Sequence, residues 1–347
     1  MGELRRNINV KSKIRNYNVF LYSELCNADL DNASYDLIIA DTNVKSHFED
    51  SNLRIEYIDC FETTKSWDNL EKIIDLFILN NLSKKSKILI VGGGVLQGSI
   101  SFCCSIFNRG ISFDFMPTTL LSMVDSCIGG KTSINYKSYK NKLGNFYPPE
   151  EIIIVTSFIK TLPEKEIFSG LGEVFKFHVL QFKFENFANN YLDLNYEELI
   201  FQSLKYKASI LEVDEFDLGE RLTLNYGHSF GHSLESIAEF KIPHGIAVIL
   251  GMMIANEVSF NLGIMSSALK NEIEKNASIY LDKVKWEKEW FDFEIIHQKL
   301  KKDKKNTDGI RLVLMNEKKK IFELIPLESE ILAKSFLSTI NRLFNRL

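Results

Sequence analysis

Between Arg221 and Gly245 the chain reads RLTLNYGHSFGHSLESIAEFKIPHG, and this one stretch holds three of its six histidines, His228, His232 and His244. Imidazole is the commonest metal-binding side chain, so such crowding in a histidine-poor protein points to a catalytic metal centre. His228 and His232 stand four residues apart, which puts both rings on one face of a helix, and His244 follows Pro243 where a further helix opens. On spacing alone, both His228 and His232 reach an ion. A carboxylate is available in SGLGEVFKF, where Glu173 and Lys176 share a helix face and Val174, Phe175 and Phe177 argue that the pair is buried. Glu173 with two histidines gives a Glu/His/His set that leaves coordination positions open, as catalytic rather than structural zinc requires. The HSFGH segment has no Glu between its histidines, so it lacks the general base of the HExxH proteases.

Other residues suit anions. The apolar run 88–91 ends in Gly92, Gly93 and Gly94, and three glycines at a strand's end let backbone amides approach a phosphate without Cβ interference. A dinucleotide pyrophosphate is the natural guest, although the spacing is not GxGxxG and a plain tight turn reads the same way. The segment 117–141, PTTLLSMVDSCIGGKTSINYKSYKN, places Thr118, Thr119, Asp125, Lys131, Lys140 and Asn141 on glycine-punctuated loop sequence. Hydroxyls, a carboxylate, two ammonium groups and an amide are the groups that hold a polyhydroxylated, phosphorylated molecule. Lys207, Arg221 and Asn225 precede the histidines, and KKDKKNTDG adds Lys301, Lys302, Lys304 and Lys305. Most lysines in such a run are solvated, but the interleaved Asp303-Lys304-Lys305 leaves room for one that points inward.

These groups need a scaffold. In the first half, short apolar runs at 37–40, 54–58, 88–91, 113–116 and 152–155 alternate with helical stretches, which predicts a parallel sheet covered by helices. Beyond Thr161 the pattern becomes helical, over 166–180, 196–212, 228–240 and 244–262, which predicts an all-α second domain. The boundary falls near Leu162-Pro163, giving domains 1–161 and 162–347, and clefts between domains are where ligands often bind. Two cores are consistent with 347 residues at 45% apolar composition. A net charge of −4, with Lys and Arg spread along the chain, gives no electrostatic case for nucleic acid or an anionic membrane. No run approaches the roughly 18 apolar residues of a membrane span. The five cysteines are odd in number and form no CxxC pair, which suits reduced thiols in the cytoplasm.

Further motifs lie between these segments: DTN at 41–43, ETTK at 62–65, Arg109-Gly110, KNKLGNFYPP and TLP at 161–163. Together with GGG, PTTLL, VDSCIGGKTSIN, SGLGEVFK, RLTLNYGHSFGH, PHG and DKK, they run in order from about Asp41 to Lys305. The ordered set closely resembles the 3-dehydroquinate synthase family of sugar phosphate cyclases. The resemblance implies an α/β N-terminal Rossmann-like domain and an all-α C-terminal domain, in a homodimer dependent on NAD and a divalent metal, zinc or cobalt. It implies that Glu173, His228 and His244 hold the metal, with His232 turned toward substrate. It places NAD against Asp41, Asn43, Glu62, Lys65, Gly92, Gly93, Gly94, Thr118, Thr119, Lys140, Phe158 and Thr161. The implied substrate pocket comprises Asp125, Lys131, Asn141, Lys176, Lys207, Arg221, Asn225, His232 and Lys304 or Lys305, with Arg109 reaching over from the partner subunit.

The implied reaction turns 3-deoxy-D-arabino-heptulosonate 7-phosphate into 3-dehydroquinate and phosphate, as in aromatic amino acid biosynthesis. It proceeds by transient oxidation, phosphate elimination, re-reduction and aldol closure, so that NAD is not consumed. Lys207, Asn225 and His232, the positions that vary among cyclases of other sugar phosphates, all match the heptulosonate pattern. One position departs: the family's GGGxxxD is GGGVLQG here, with Gly98 in place of an Asp associated with the NAD site. Gly98 either admits a water in place of the carboxylate, or marks a paralogous cyclase of a dedicated biosynthetic cluster or a weakly active member.

Overall fold

The computed structural model describes residues 3–27, 30, 34–49, 51–137, 139–183, 193–301 and 309–346. It divides into two compact units, Met1–Pro163 with Asn195–Phe216, and Glu164–Leu194 with Asp217–Leu347.

The first unit is built on a seven-stranded sheet in the order β1-β2-β9-β6-β5-β3-β4. Its strands are β1 (Leu4–Val10), β2 (Tyr17–Tyr22), β3 (Leu37–Asp41), β4 (Ile55–Ile58), β5 (Lys87–Gly92), β6 (Ser112–Pro117) and β9 (Glu151–Val155). Only β1 is antiparallel to its neighbour. The runs LIIA in β3, ILIVG in β5 and FDFMP in β6 are buried on both faces, as parallel strands between helical layers must be. Helices α1 (Trp67–Leu79) and α2 (Gly94–Ile106) join these strands, and a small hairpin, β7 (Ile134–Tyr136) with β8 (Tyr139–Leu143), follows β6. The chain leaves β3 toward one edge and β5 toward the other, so the β3 and β5 ends flank a topological switch point where ligands bind in open α/β sheets.

Helix α4 (Tyr196–Val213), assigned to the second domain on sequence, belongs to the first unit. Its side chains explain the difference: Glu198 pairs with Arg6 at 2.5 Å and Lys207 pairs with Asp125 at 2.8 Å.

The second unit is helical, with α3 (Glu164–Leu180), α5 (His228–Ile237), α6 (His244–Asn261), α7 (Ser267–Leu281), α8 (Phe293–Lys301) and α9 (Ser329–Arg346). It is not all-α: Ile310–Asn316 and Ile321–Leu327 form an antiparallel hairpin, β10–β11, around the polar turn Glu317 to Lys320. Helix α6 is the centre of this unit and is buried on nearly every face. No helix among the described residues is long and apolar enough to cross a membrane.

Glycines set how closely α3, α5 and α6 approach. A Cβ at Gly172 of α3 would overlap the Gly245 backbone of α6, and one at Gly251 would overlap the carbonyl of Gly227, which precedes α5. Gly172 adjoins Glu173, Gly245 adjoins His244, and Gly227 adjoins His228. These two close approaches therefore lie beside the three expected metal ligands.

Candidate functional site

Glu173 is completely buried in α3, and neither of its carboxylate oxygens makes a hydrogen bond of acceptable geometry. Its Oε2 lies against the Lys176 ammonium, while Oε1 is 3.4 Å from His228 Nε2 and 3.3 Å from His244 Nε2. Two ligands bonded at about 2.0–2.1 Å to a tetrahedral ion stand roughly 3.3–3.4 Å apart, so the spacing already suits a shared cation. The donor chemistry agrees. His228 Nδ1 is 3.2 Å from the Tyr226 carbonyl and His244 Nδ1 is 3.0 Å from Glu235 Oε2, so each ring has its Nδ1 engaged and turns Nε2 toward Glu173. Hydrogen bonds of this kind fix the tautomer of a metal-binding imidazole. A divalent ion fits these residues, and it would meet the buried Oε1 that both Nε2 atoms face.

Two triads are geometrically available, because His232 also lies with His228 and His244 close enough for all three to offer ligand atoms to one ion. Burial separates them. Glu173 is inaccessible, whereas His232 is exposed. Burial by itself would raise the Glu173 carboxyl, but the Lys176 ammonium and then His244 outweigh it and hold the acid at about 2. For His244, burial disfavours the charged ring, and the Glu235 and Glu173 carboxylates overcome this, raising it to about 10. The cluster thus sets two carboxylates, Glu173 and Glu235, beside the two imidazoles.

Glu235 was not singled out on sequence. The signal was present, since 228, 232 and 235 follow the i, i+4, i+7 rule for one helix face. Arg221 (3% exposed) and Asn225 lie on the short helical turn Glu220–Asn225 that leads into α5.

In the first unit the expected cofactor residues gather at the sheet's switch point. Asp41 caps the turn after β3, accepting from Asn43 N at 2.9 Å and Asn43 Nδ2 at 2.8 Å. Gly93 caps α2, and Cβ atoms at Gly92, Gly93 and Gly94 would stand 3.4 Å from Asp41 Cβ, 3.1 Å from Thr119 Cγ2 and 3.1 Å from Ser126 Oγ. Buried Thr118 donates its N–H to the Gly92 carbonyl at 3.0 Å, closing this turn against the next. Phe158 and Thr161 meet through His47, whose ring lies 4.7 Å from the Phe158 ring and whose Nε2 is 3.0 Å from Thr161 Oγ1. Lys140 stands 4.0 Å from Glu62.

Asp125 lies on a π-helical turn, a form often found at functional sites, and Lys207 of α4 bonds both its carboxylate at 2.8 Å and its carbonyl at 2.7 Å. Lys131 is exposed and bridges to Phe146. The open space expected beside Gly98 is not there. The tip of Lys65 fills it, within 3.0 Å of where a Cβ would sit. Arg109 is not brought to this group: it sits beyond the far end of α2, roughly 20 Å of helix from Gly94, exposed and with a left-handed φ of 61°. Lys304 and Lys305 lie outside the described residues.

Comparison with known proteins accords with both halves. The family model described as 3-dehydroquinate synthase N-terminal matches residues 56–169, and that described as 3-dehydroquinate synthase C-terminal matches residues 170–306. A 3-dehydroquinate synthase of Clostridium tetani (strain Massachusetts / E88) is 33% identical over 321 residues, which cover 88% of this chain and 85% of the relative. Among solved structures, a 2-deoxy-scyllo-inosose synthase complexed with carbaglucose-6-phosphate, NAD+ and Co2+ aligns with a TM-score of 0.82 at 20% identity, over 95% of this chain and 99% of that one. The 2-epi-5-epi-valiolone synthase of Streptomyces hygroscopicus subsp. jinggangensis 5008, with NAD+ and Zn2+ bound, aligns at 0.81 and 20% identity, over 96% of this chain and 99% of that one. At such identity these two establish the fold. The two family models and the Clostridium tetani relative establish more: the chain belongs to the 3-dehydroquinate synthase family.

Proposed function

We propose that the protein is a 3-dehydroquinate synthase, converting 3-deoxy-D-arabino-heptulosonate 7-phosphate to 3-dehydroquinate and phosphate with NAD and a divalent metal, zinc or cobalt. The observation that carries this reading is the buried Glu173 carboxylate facing His228 and His244 at ligand spacing, on a chain of this family. A divalent ion supplies Lewis acidity at a substrate hydroxyl, and NAD supplies a hydride store that is filled and emptied within one turnover.

The chain's own residues do the rest. Glu173, His228 and His244 hold the ion, Glu235 and the Tyr226 carbonyl keep the two rings in register, and Lys176 neutralises the charge that Glu173 carries into the interior. His232, four residues past His228 and exposed, faces the substrate. Asp41, Asn43, Glu62, Lys65, the Gly92–Gly94 turn, Thr118, Thr119, Lys140, Phe158 and Thr161 hold the dinucleotide, whose pyrophosphate suits the amides opening α2. Lys131, Asn141, Lys207, Arg221, Asn225 and one of Lys304 and Lys305 hold the phosphate and carboxylate by charge-assisted bonds, each contributing about 1.5–3 kcal/mol. Asp125 holds Lys207 in place.

Arg109 completes the pocket of a partner subunit in a homodimer. Its exposed position, with no ion pair among the described residues, supports that role. We place the enzyme in the cytoplasm, supplying aromatic precursors.

The test is phosphate release from the heptulosonate phosphate by purified protein with NAD and zinc or cobalt. Release without net change in NADH absorbance is expected. Net NADH formation, or no release from any heptulose phosphate, would contradict the proposal.

A further inference from the structure

Gly98 lies within α2, and its missing side chain is the condition for a contact elsewhere. A Cβ there would meet Lys65 Cε at 2.9 Å, Lys65 Nζ at 3.0 Å and the Ser133 carbonyl at 3.0 Å. Lys65 is only 7% exposed, and its ammonium donates to Asn141 Oδ1 at 2.7 Å. Ser133 Oγ donates to the same oxygen at 2.9 Å. An ammonium can only donate, so it selects the oxygen of the Asn141 carboxamide and turns the NH2 the other way.

The backbone around this amide is held as well. Asn141 N donates to Asn135 Oδ1 at 2.8 Å, Asn135 N donates to the Lys65 carbonyl at 2.8 Å, and Asn135 Nδ2 donates to Glu62 Oε1 at 2.8 Å. Asn141 sits at a φ of 49°, a left-handed conformation that an asparagine keeps when its surroundings hold it there. One network thus ties the Glu62–Lys65 turn, the Asn135–Asn141 hairpin and Gly98 of α2 together.

We propose that Lys65 and Gly98 form a matched pair that sets Asn141 for the substrate: the absent side chain at 98 makes the seat for the lysine tip, and the lysine fixes the Asn141 amide as a hydrogen-bond donor. Lys65 then positions Asn141 for the substrate anion, and Gly98 supplies the space its side chain needs. This rests on the reading that Asn141 belongs to the heptulosonate phosphate pocket.

The experiment has two arms. In the first, steady-state kinetics and NAD titration are compared for the wild type, Lys65→Met, Gly98→Ala and the double variant. Each single change is expected to raise the KM for the heptulosonate phosphate by about tenfold, the scale of one charged hydrogen bond, with the NAD Kd moving by a smaller factor. The double variant is expected to be no worse than Lys65→Met, because both changes unseat the same ammonium. A larger effect on NAD Kd than on substrate KM overturns the proposal, as do penalties that multiply. Lys65→Met fills no new space, so it delivers the split between KM and Kd even where Gly98→Ala folds poorly.

The second arm needs no substrate. The lysine ε-carbon NMR signals are titrated in the ligand-free protein, with Lys65→Met identifying the Lys65 resonance. Burial lowers the Lys65 ammonium to about 8, Glu62 opposing and Lys140 assisting. Gly98→Ala is expected to move this midpoint back toward the ordinary lysine value, and an unmoved midpoint overturns the matched pair. A protein that releases no phosphate from the heptulosonate defeats the functional reading while leaving this second result to stand or fall by itself.

Discussion

The proposed metal ligands of the second unit and the proposed cofactor loops of the first are held by different means. Glu173, His228 and His244 are placed by helix backbones in contact at Gly172–Gly245 and Gly227–Gly251, and the site's geometry is as stiff as the helix packing. Asp41, Glu62, Lys65 and Asn141 stand on turns and a short hairpin, and side-chain hydrogen bonds hold them. A backbone contact has no flexible end to move aside, whereas a side-chain network has.

Adding one methyl group to the stiff half is the strongest way to break this contrast. Gly172→Ala has no flexible neighbour to displace, because the overlap is with the Gly245 backbone. It is expected to cost about 3 kcal/mol of stability in chemical denaturation and to release metal, the upper range for overpacking. A variant that keeps both stability and metal would show that the helices are not pinned.

Glu235→Gln probes the shell around the same cluster. It preserves shape but weakens the acceptor facing His244 Nδ1, so metal affinity in chelator competition should fall about 10–100-fold with the fold intact. Unchanged affinity would remove Glu235 from the site.

The smallest effect belongs to the adaptable half. Lys65 titrates near 8 in the folded protein against 10.5 as its ordinary value, so between these limits the unfolded chain binds more protons. Its contribution to stability must therefore be most unfavourable below pH 8 and be relieved as pH rises toward 10.5. The wild type should gain stability relative to Lys65→Met across that window, and its substrate KM should climb above pH 8 as the ammonium is lost. Parallel curves for the two proteins would mean that Lys65 is not buried as a cation.

Much of this was legible in the residues. The apolar runs at 37–40, 88–91, 113–116 and 152–155 each became a central strand, because buried parallel strands are continuous hydrophobic segments. β2 escaped notice since Tyr17, Val19 and Leu21 alternate with half-exposed neighbours, and β1 is mostly exposed at the sheet edge. The hairpin β10–β11 lies beyond 244–262, the last helical stretch read in the sequence, in a region that the all-α expectation covered without any element of its own. Helix α4 reads the same wherever it packs, so only its partners, Arg6 and Asp125, assign it to the first unit.

At the site, the crowded histidines and the Glu173–Lys176 pair announced themselves by type and spacing. Glu235 did not, as an acidic residue near a helix end usually faces solvent. The seat of Lys65 on Gly98 joins residues far apart in the chain, and the identity of neither position suggests the other.

The division of the histidine cluster is the central claim, and metal content of purified variants tests it most directly. Elemental analysis after exhaustive dialysis is expected to find about one zinc or cobalt per chain in the wild type and in His232→Ala, and close to none in His244→Ala. Metal lost from His232→Ala and retained in His244→Ala would contradict the assignment of His244 with Glu173 and His228 to the ion.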